Sequence, residues 1–112
     1  YEDISNVAYN VEALSRRAFV YVDEELDAPY QADVREAYYR VLRASENYSD
    51  AVYEGDFIAD SLYELFYLNE VLEEAENEMR QFRGEVSLAL KERIRLMRFY
   101  VNELQWVYRA KI

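Results

Sequence analysis

Four carboxylates, Glu70, Glu73, Glu74 and Glu78, recur at i, i+3, i+4 and i+8, a spacing that on a helix sets them on neighbouring turns. Oxygen donors so arranged suit Mg²⁺, and through it metal-assisted hydrolysis. A second constellation is basic. Lys91, Arg95, Arg98, Asn102, Gln105 and Arg109 step by 4, 3, 4, 3 and 4 along one helical stripe, and Arg outnumbers Lys by 11 to 2. Forked guanidinium contacts with phosphate oxygens are the chemistry such a stripe offers. A third set, Asp50, Glu54, Asp60, Glu64, Glu70, Glu73, Glu74, Glu76 and Glu78, would offer a basic partner a surface that steers its approach more than it adds affinity.

Composition removes most enzymatic alternatives. With no His, the side chain that titrates nearest neutrality is missing, and with no Cys there is no thiolate nucleophile, disulfide or thiolate metal site. A carboxylate-bridged di-iron bundle needs Glu-x-x-His pairs, and helical ribonucleases built on an Arg and a His need the same missing residue. Two glycines, Gly55 and Gly84, are too few and too far apart for a phosphate-cradling loop. The paired Glu motif of helical pyrophosphohydrolases is completed by a second acidic motif on the following helix. Here the following segment carries Glu85, Glu92 and Glu103 among eight basic residues, without that pattern. The expectation is a non-enzymatic protein with no cofactor and no metal, a Mg²⁺-dependent hydrolase using the Glu70 to Glu78 cluster ranking third.

The elements that carry these residues follow from punctuation and periodicity. In 112 residues there are only 2 Gly and 1 Pro, while 52% are hydrophobic and 12 are Tyr. That is enough for one core and a single domain over residues 1–112. Turns are signalled at Asp23 to Pro29, at Gly55 followed by Asp56, and at Gly84; Gly55 suits a left-handed residue closing a helix, with Asp56 capping the next. Between them, apolar residues recur every three or four places. The stripes are Ile4, Val7, Val11, Leu14, Ala18 and Val22; then Val34, Ala37, Val41, Ala44, Tyr48 and Ala51. Ile58, Leu62, Leu65, Leu68, Leu72, Ala75, Met79 and Phe82 follow, and finally Val86, Leu90, Ile94, Met97, Val101, Leu104 and Tyr108. Four such stripes joined by short connections predict an all-α, antiparallel up-down-up-down four-helix bundle with helices at 3–25, 29–54, 57–83 and 85–111. Tyr38, Tyr48 and Tyr108 are expected at core edges with hydroxyls reaching the rim.

Charge divides unevenly over this frame. Residues 1–43 are net -4, residues 44–79 carry 11 acids and no base, and residues 80–112 are net +5. Helices three and four therefore neutralise each other along their flanks, or the acidic face meets a basic partner. Both helices also hold more apolar residues than one core needs. Phe66 and Tyr67 on the third and Phe99 and Trp106 on the fourth form the expected interface, most economically of a two-fold homodimer. The leading expectation is thus an interaction or assembly module that self-associates through helices three and four. The alternative is a nucleic-acid-related protein: either its acidic surface (Asp60, Glu64, Glu70, Glu73, Glu74, Glu78) mimics nucleic acid and fills a basic groove, or its basic stripe (Lys91, Arg95, Arg98, Arg109) touches phosphates. No run of about 18 apolar residues exists, so no membrane span is expected. A cytoplasmic address and a heat-adapted source fit the composition.

Overall fold

The structure, a computed structural model, describes residues 2–26, 31–55, 59–82 and 85–111. Four helices follow in order: α1 (Glu2–Glu25), α2 (Gln31–Glu54), α3 (Ala59–Gln81) and α4 (Leu88–Lys111). They form an all-α four-helix bundle with extents of 43 × 19 × 18 Å. Each helix packs on the next in sequence, α1 also packs on α4, and α3 and α4 approach each other least closely. Directions alternate. Ser15 on α1 meets Ser45 on α2, while Ser49, one turn further along α2, reaches back to the Ala8 carbonyl. Ser61 at the start of α3 meets Tyr108 near the end of α4, and the Arg93 guanidinium of α4 lies 4.6 Å from the ring of Tyr21 late in α1.

Helix ends are set by local hydrogen bonding. The α1 to α2 bend is closed from the α2 side: the Gln31 amide donates to the Val22 carbonyl (2.8 Å) and the Asp23 carbonyl (2.5 Å), two acceptors that the end of a helix leaves without backbone partners. Arg35 then pairs with the Asp23 carboxylate at 2.5 Å. Helix α4 begins at Leu88, three residues later than its expected start at 85. Ser87 stops it: its carbonyl accepts the first helical bond from Lys91 N–H (3.1 Å), and its hydroxyl accepts from Leu90 N–H (3.2 Å). Glu85 and Val86 therefore precede the helix. The expected turn residues Asp27, Ala28, Pro29, Asp56 and Gly84, and the stripe residue Ile58, lie outside the described residues.

Gly55 corrects an expectation about its conformation. Its backbone is not left-handed; its N–H donates to the Ala51 carbonyl at 2.9 Å and extends the α2 ladder. What the site requires is space, because a Cβ there would stand 2.7 Å from the Ala51 oxygen and 2.9 Å from the Asp60 Cβ. Gly55→Ala is accordingly expected to destabilise the fold by about 1–3 kcal/mol despite the better helix propensity of Ala. A urea titration of the variant beside the parent measures the difference.

The core runs the length of the bundle. Val34, Ala37, Val41, Ala44 and Tyr48 on α2, Leu65, Leu68, Leu72 and Ala75 on α3, and Leu90, Met97, Val101, Leu104 and Tyr108 on α4 are buried, as their spacing predicts. On α1 the buried line shifts toward smaller residues: Ala8 and Ser15 are buried, whereas Val7 and Leu14 are half-buried. Where α1 crosses α2, Ser15 Oγ and Ser45 Oγ lie 2.7 Å apart, and each also sits within hydrogen-bond distance of a carbonyl of its own helix, Glu12 and Leu42. Two hydroxyl hydrogens serve three contacts, so one carbonyl is always released when the serines bond each other.

The tyrosines depart from the rim placement. Tyr38, Tyr48 and Tyr108 are buried, hydroxyl included. Tyr108 Oη lies 3.0 Å from Tyr48 Oη and 2.5 Å from Ser61 Oγ, a buried chain linking α2, α4 and α3.

Candidate interaction surface

The interface residues expected from the sequence are all exposed, yet they do not form one patch. Phe66 and Tyr67 are consecutive and so stand about 100° apart around α3. Phe66 lines a groove between α3 and α4 with Leu62, Gln105, Tyr108 and Arg109, whereas Tyr67 lines the groove between α2 and α3. On α4, Phe99 and Trp106 share the side opposite the core, 54% and 70% exposed. Leu88 and Leu96 are exposed as well. From Leu88 to Trp106 this line runs about 27 Å along the helix. Trp106 also edges a groove of about 450 Å³ between α1 and α4, lined by Ile4, Val7, Leu104 and Val107. A helix in a four-helix bundle has two neighbours and one outer face; on α4 that outer face is studded with large apolar side chains.

The basic stripe is divided by its partners. Arg98 is committed to the fold: Nε donates to Glu76 Oε2 (3.1 Å), Nη2 to Glu76 Oε1 (2.7 Å), and Nη1 to Asn69 Oδ1 (2.6 Å) and Asn102 Oδ1 (3.2 Å). With side chains 23% and 20% exposed, Arg98 and Glu76 form a forked, partly desolvated pair that ties α3 to α4 where these helices pack least closely. Among the described residues this is the one ion pair that joins the acidic α3 to the basic α4. Arg95 pairs with Glu92 on its own helix, at the surface. Lys91 and Arg109 are exposed.

Within electrostatic reach of Glu76 lies Tyr38, fully buried, whose hydroxyl has no hydrogen-bond partner among the described residues. Burial pushes its pKa well up, and the Glu76 charge adds to this, against a smaller opposing effect of Arg80. The phenol is thus protonated at neutral pH. Because a buried hydroxyl left unbonded carries its full desolvation cost, Tyr38→Phe is expected to raise stability by about 1 kcal/mol. Thermal melts of the two chains at matched concentration give the sign.

The acidic residues also divide by helix face. Glu74 reaches Arg40 of α2 at 3.4 Å, Glu73 accepts from Asn69, and Glu70 is exposed. Glu64 lies in the α2 to α3 groove; Asp60 is exposed and Glu78 half-buried. The four carboxylates considered for Mg²⁺ thus fan around α3, and among the described residues no group of three or more acidic side chains is placed to hold a metal ion. The α2 to α3 groove, with Asp50, Glu54, Tyr63 and Tyr67, was not legible as a unit, because its walls come from two helices. No described helix is long and apolar enough to cross a membrane.

No protein-family model matches the chain, and no curated protein or solved structure matches it either.

Proposed function

We propose that this chain is a non-enzymatic assembly module that pairs with a second copy of itself through α4 and the adjoining edge of α3. The observation that carries the reading is the outward line of Leu88, Leu96, Phe99 and Trp106, large apolar side chains left to water by the monomer. Water-exposed Trp and Phe on one helix face are the residues that supply most of the binding free energy when a partner covers them. Charge supports a second copy as that partner. Helix α3 carries seven acids and one Arg, and α4 carries six cations and two Glu. A two-fold axis parallel to the bundle would lay α3 of each copy against α4 of the other, acid against base, with Phe66 and Phe99 near the contact. Light scattering across a concentration series, for the parent chain and for Phe99→Glu/Trp106→Glu, tests the reading: the parent should approach the mass of two chains and the variant should remain at one.

Of the nucleic-acid readings, contact with phosphates through α4 is the weaker, since Arg98 at the centre of the stripe is already bound to Glu76. It retains Lys91 and Arg109. Retention of duplex or single-stranded nucleic acid at low salt, where phosphate contacts are strongest, would revive it.

A further inference from the structure

We propose that the groove between α2 and α3 is a docking site for an arginine-rich segment of another protein. The groove encloses about 450 Å³ and is lined by Asp50 and Glu54 from α2 and by Tyr63, Glu64 and Tyr67 from α3, over a small floor at Ala51. Tyr63 is 75% exposed, so its ring face is open to a partner. No described Lys or Arg pairs with Asp50, Glu54 or Glu64: both walls of the groove come from residues 44–79, which contain no basic residue. Acids on other faces of the bundle are answered by the molecule itself, as in Glu74 with Arg40, Glu46 with Arg16 and Glu76 with Arg98.

The chemistry of the missing partner is visible elsewhere in the fold. Arg35 lies 5.3 Å from the ring centroid of Phe19 while pairing with the Asp23 carboxylate at 2.5 Å, one guanidinium satisfying a ring and an acid together. The α2 to α3 groove presents the same combination, two rings and three carboxylates, with no described cation in it. Guanidinium is the group that fits, since it stacks on an aromatic face and forks onto a carboxylate, whereas an ammonium does neither as well. The same carboxylates repel phosphate, so the partner is a basic polypeptide and not a nucleic acid. The site is separate from the outer face of α4, so it stands or falls independently of self-association.

The experiment measures fluorescence anisotropy of labelled oligoarginine and oligolysine peptides of equal length against the purified chain. Oligoarginine should bind more tightly, and its affinity should fall as salt rises through about 0.1 M. Asp50→Asn/Glu54→Gln/Glu64→Gln should weaken it roughly ten-fold. The control Glu24→Gln/Asp33→Asn/Glu85→Gln, which removes three exposed charges away from the groove, should change it by no more than about two-fold. Tyr63→Ser/Tyr67→Ser should abolish the preference for Arg over Lys. The chain carrying Phe99→Glu/Trp106→Glu should bind as the parent does. Circular dichroism confirms that each variant remains helical. Absence of binding, equal losses for the two triple variants, or no preference for Arg over Lys would each overturn the proposal, the last two by showing only the attraction of net charge.

Discussion

Replacing Phe99 and Trp106 together with glutamate is expected to convert a self-associating chain into a monomer that keeps its helicity. Both side chains point away from the core and are largely exposed, so their loss removes little packing from the single chain. Exposed substitutions of this kind usually stay within about 0.5 kcal/mol of the parent in stability. In the pair the consequence is opposite. An aromatic anchor lost from the centre of an interface costs about 2 kcal/mol or more, and each new carboxylate would be desolvated against the partner's surface. Two such losses predict a dissociation constant raised at least about a hundred-fold. Phe66→Glu, at the α3 edge, should weaken the pair less. A variant that unfolds would show it in its circular dichroism. Asn102→Ala, on the same helix but small and polar, serves as the control that should leave association intact.

Arg98→Ala is expected to be the most destabilising single change among the charged residues, by about 2 kcal/mol. Its guanidinium makes four hydrogen bonds, two of them to Glu76, in a setting where both partners are mostly shielded from water. Removing it leaves the Glu76 carboxylate, mostly shielded from water, without its cation and releases the polar tie between α3 and α4. Arg95→Ala, by contrast, breaks only an exposed pair with Glu92 and should cost under about 0.5 kcal/mol. Urea unfolding of both variants makes the comparison. Equal effects would mean that the forked pair is no stronger than an ordinary surface contact. Adding Glu76→Gln to Arg98→Ala should recover part of the loss, because the stranded charge is then gone.

Much of the fold was readable in advance, for a definite reason. Stripes such as Leu65, Leu68, Leu72 and Ala75 repeat at the helical period without interruption, and no strand-like alternation competes with them. Charge segregation between α3 and α4 left two readings open, mutual neutralisation or a basic partner, and among the described residues one ion pair, Arg98 with Glu76, joins the two helices. What escaped depends on contacts remote in sequence or on single degrees around a helix. Ser15 reads as polar, yet it is buried because Ser45, 30 residues away, answers it where α1 and α2 cross. Hydrophobicity favoured Val7 and Leu14 for that line, but close approach of two backbones favours small side chains. Phe66 and Tyr67 look like one patch in a string of letters; the 100° between neighbours sends them to different grooves. Ser87 as the start of α4 was hidden by Val86, whose apolar side chain continues the stripe backward past the cap.

Phe66, Tyr67, Phe99 and Trp106 were singled out by counting apolar side chains beyond the needs of one core, and that count agrees with their exposure in the folded chain. The α2 to α3 groove has no such signal. Asp50, Glu54, Tyr63, Glu64 and Tyr67 come from two helices and become a unit only when the helices are packed, although both walls fall within residues 44 to 79, which hold no Lys or Arg.

Trp106 is the only tryptophan, and it lies on the face assigned to self-association, so its fluorescence reads the central claim directly. Its emission should be recorded over a dilution series alongside the mass of the particle from sedimentation. The expected result is a blue-shifted maximum at high concentration that moves to the red on dilution, in step with a fall from two chains to one. An emission maximum typical of an exposed indole at every concentration, with the mass of a single chain throughout, would contradict it.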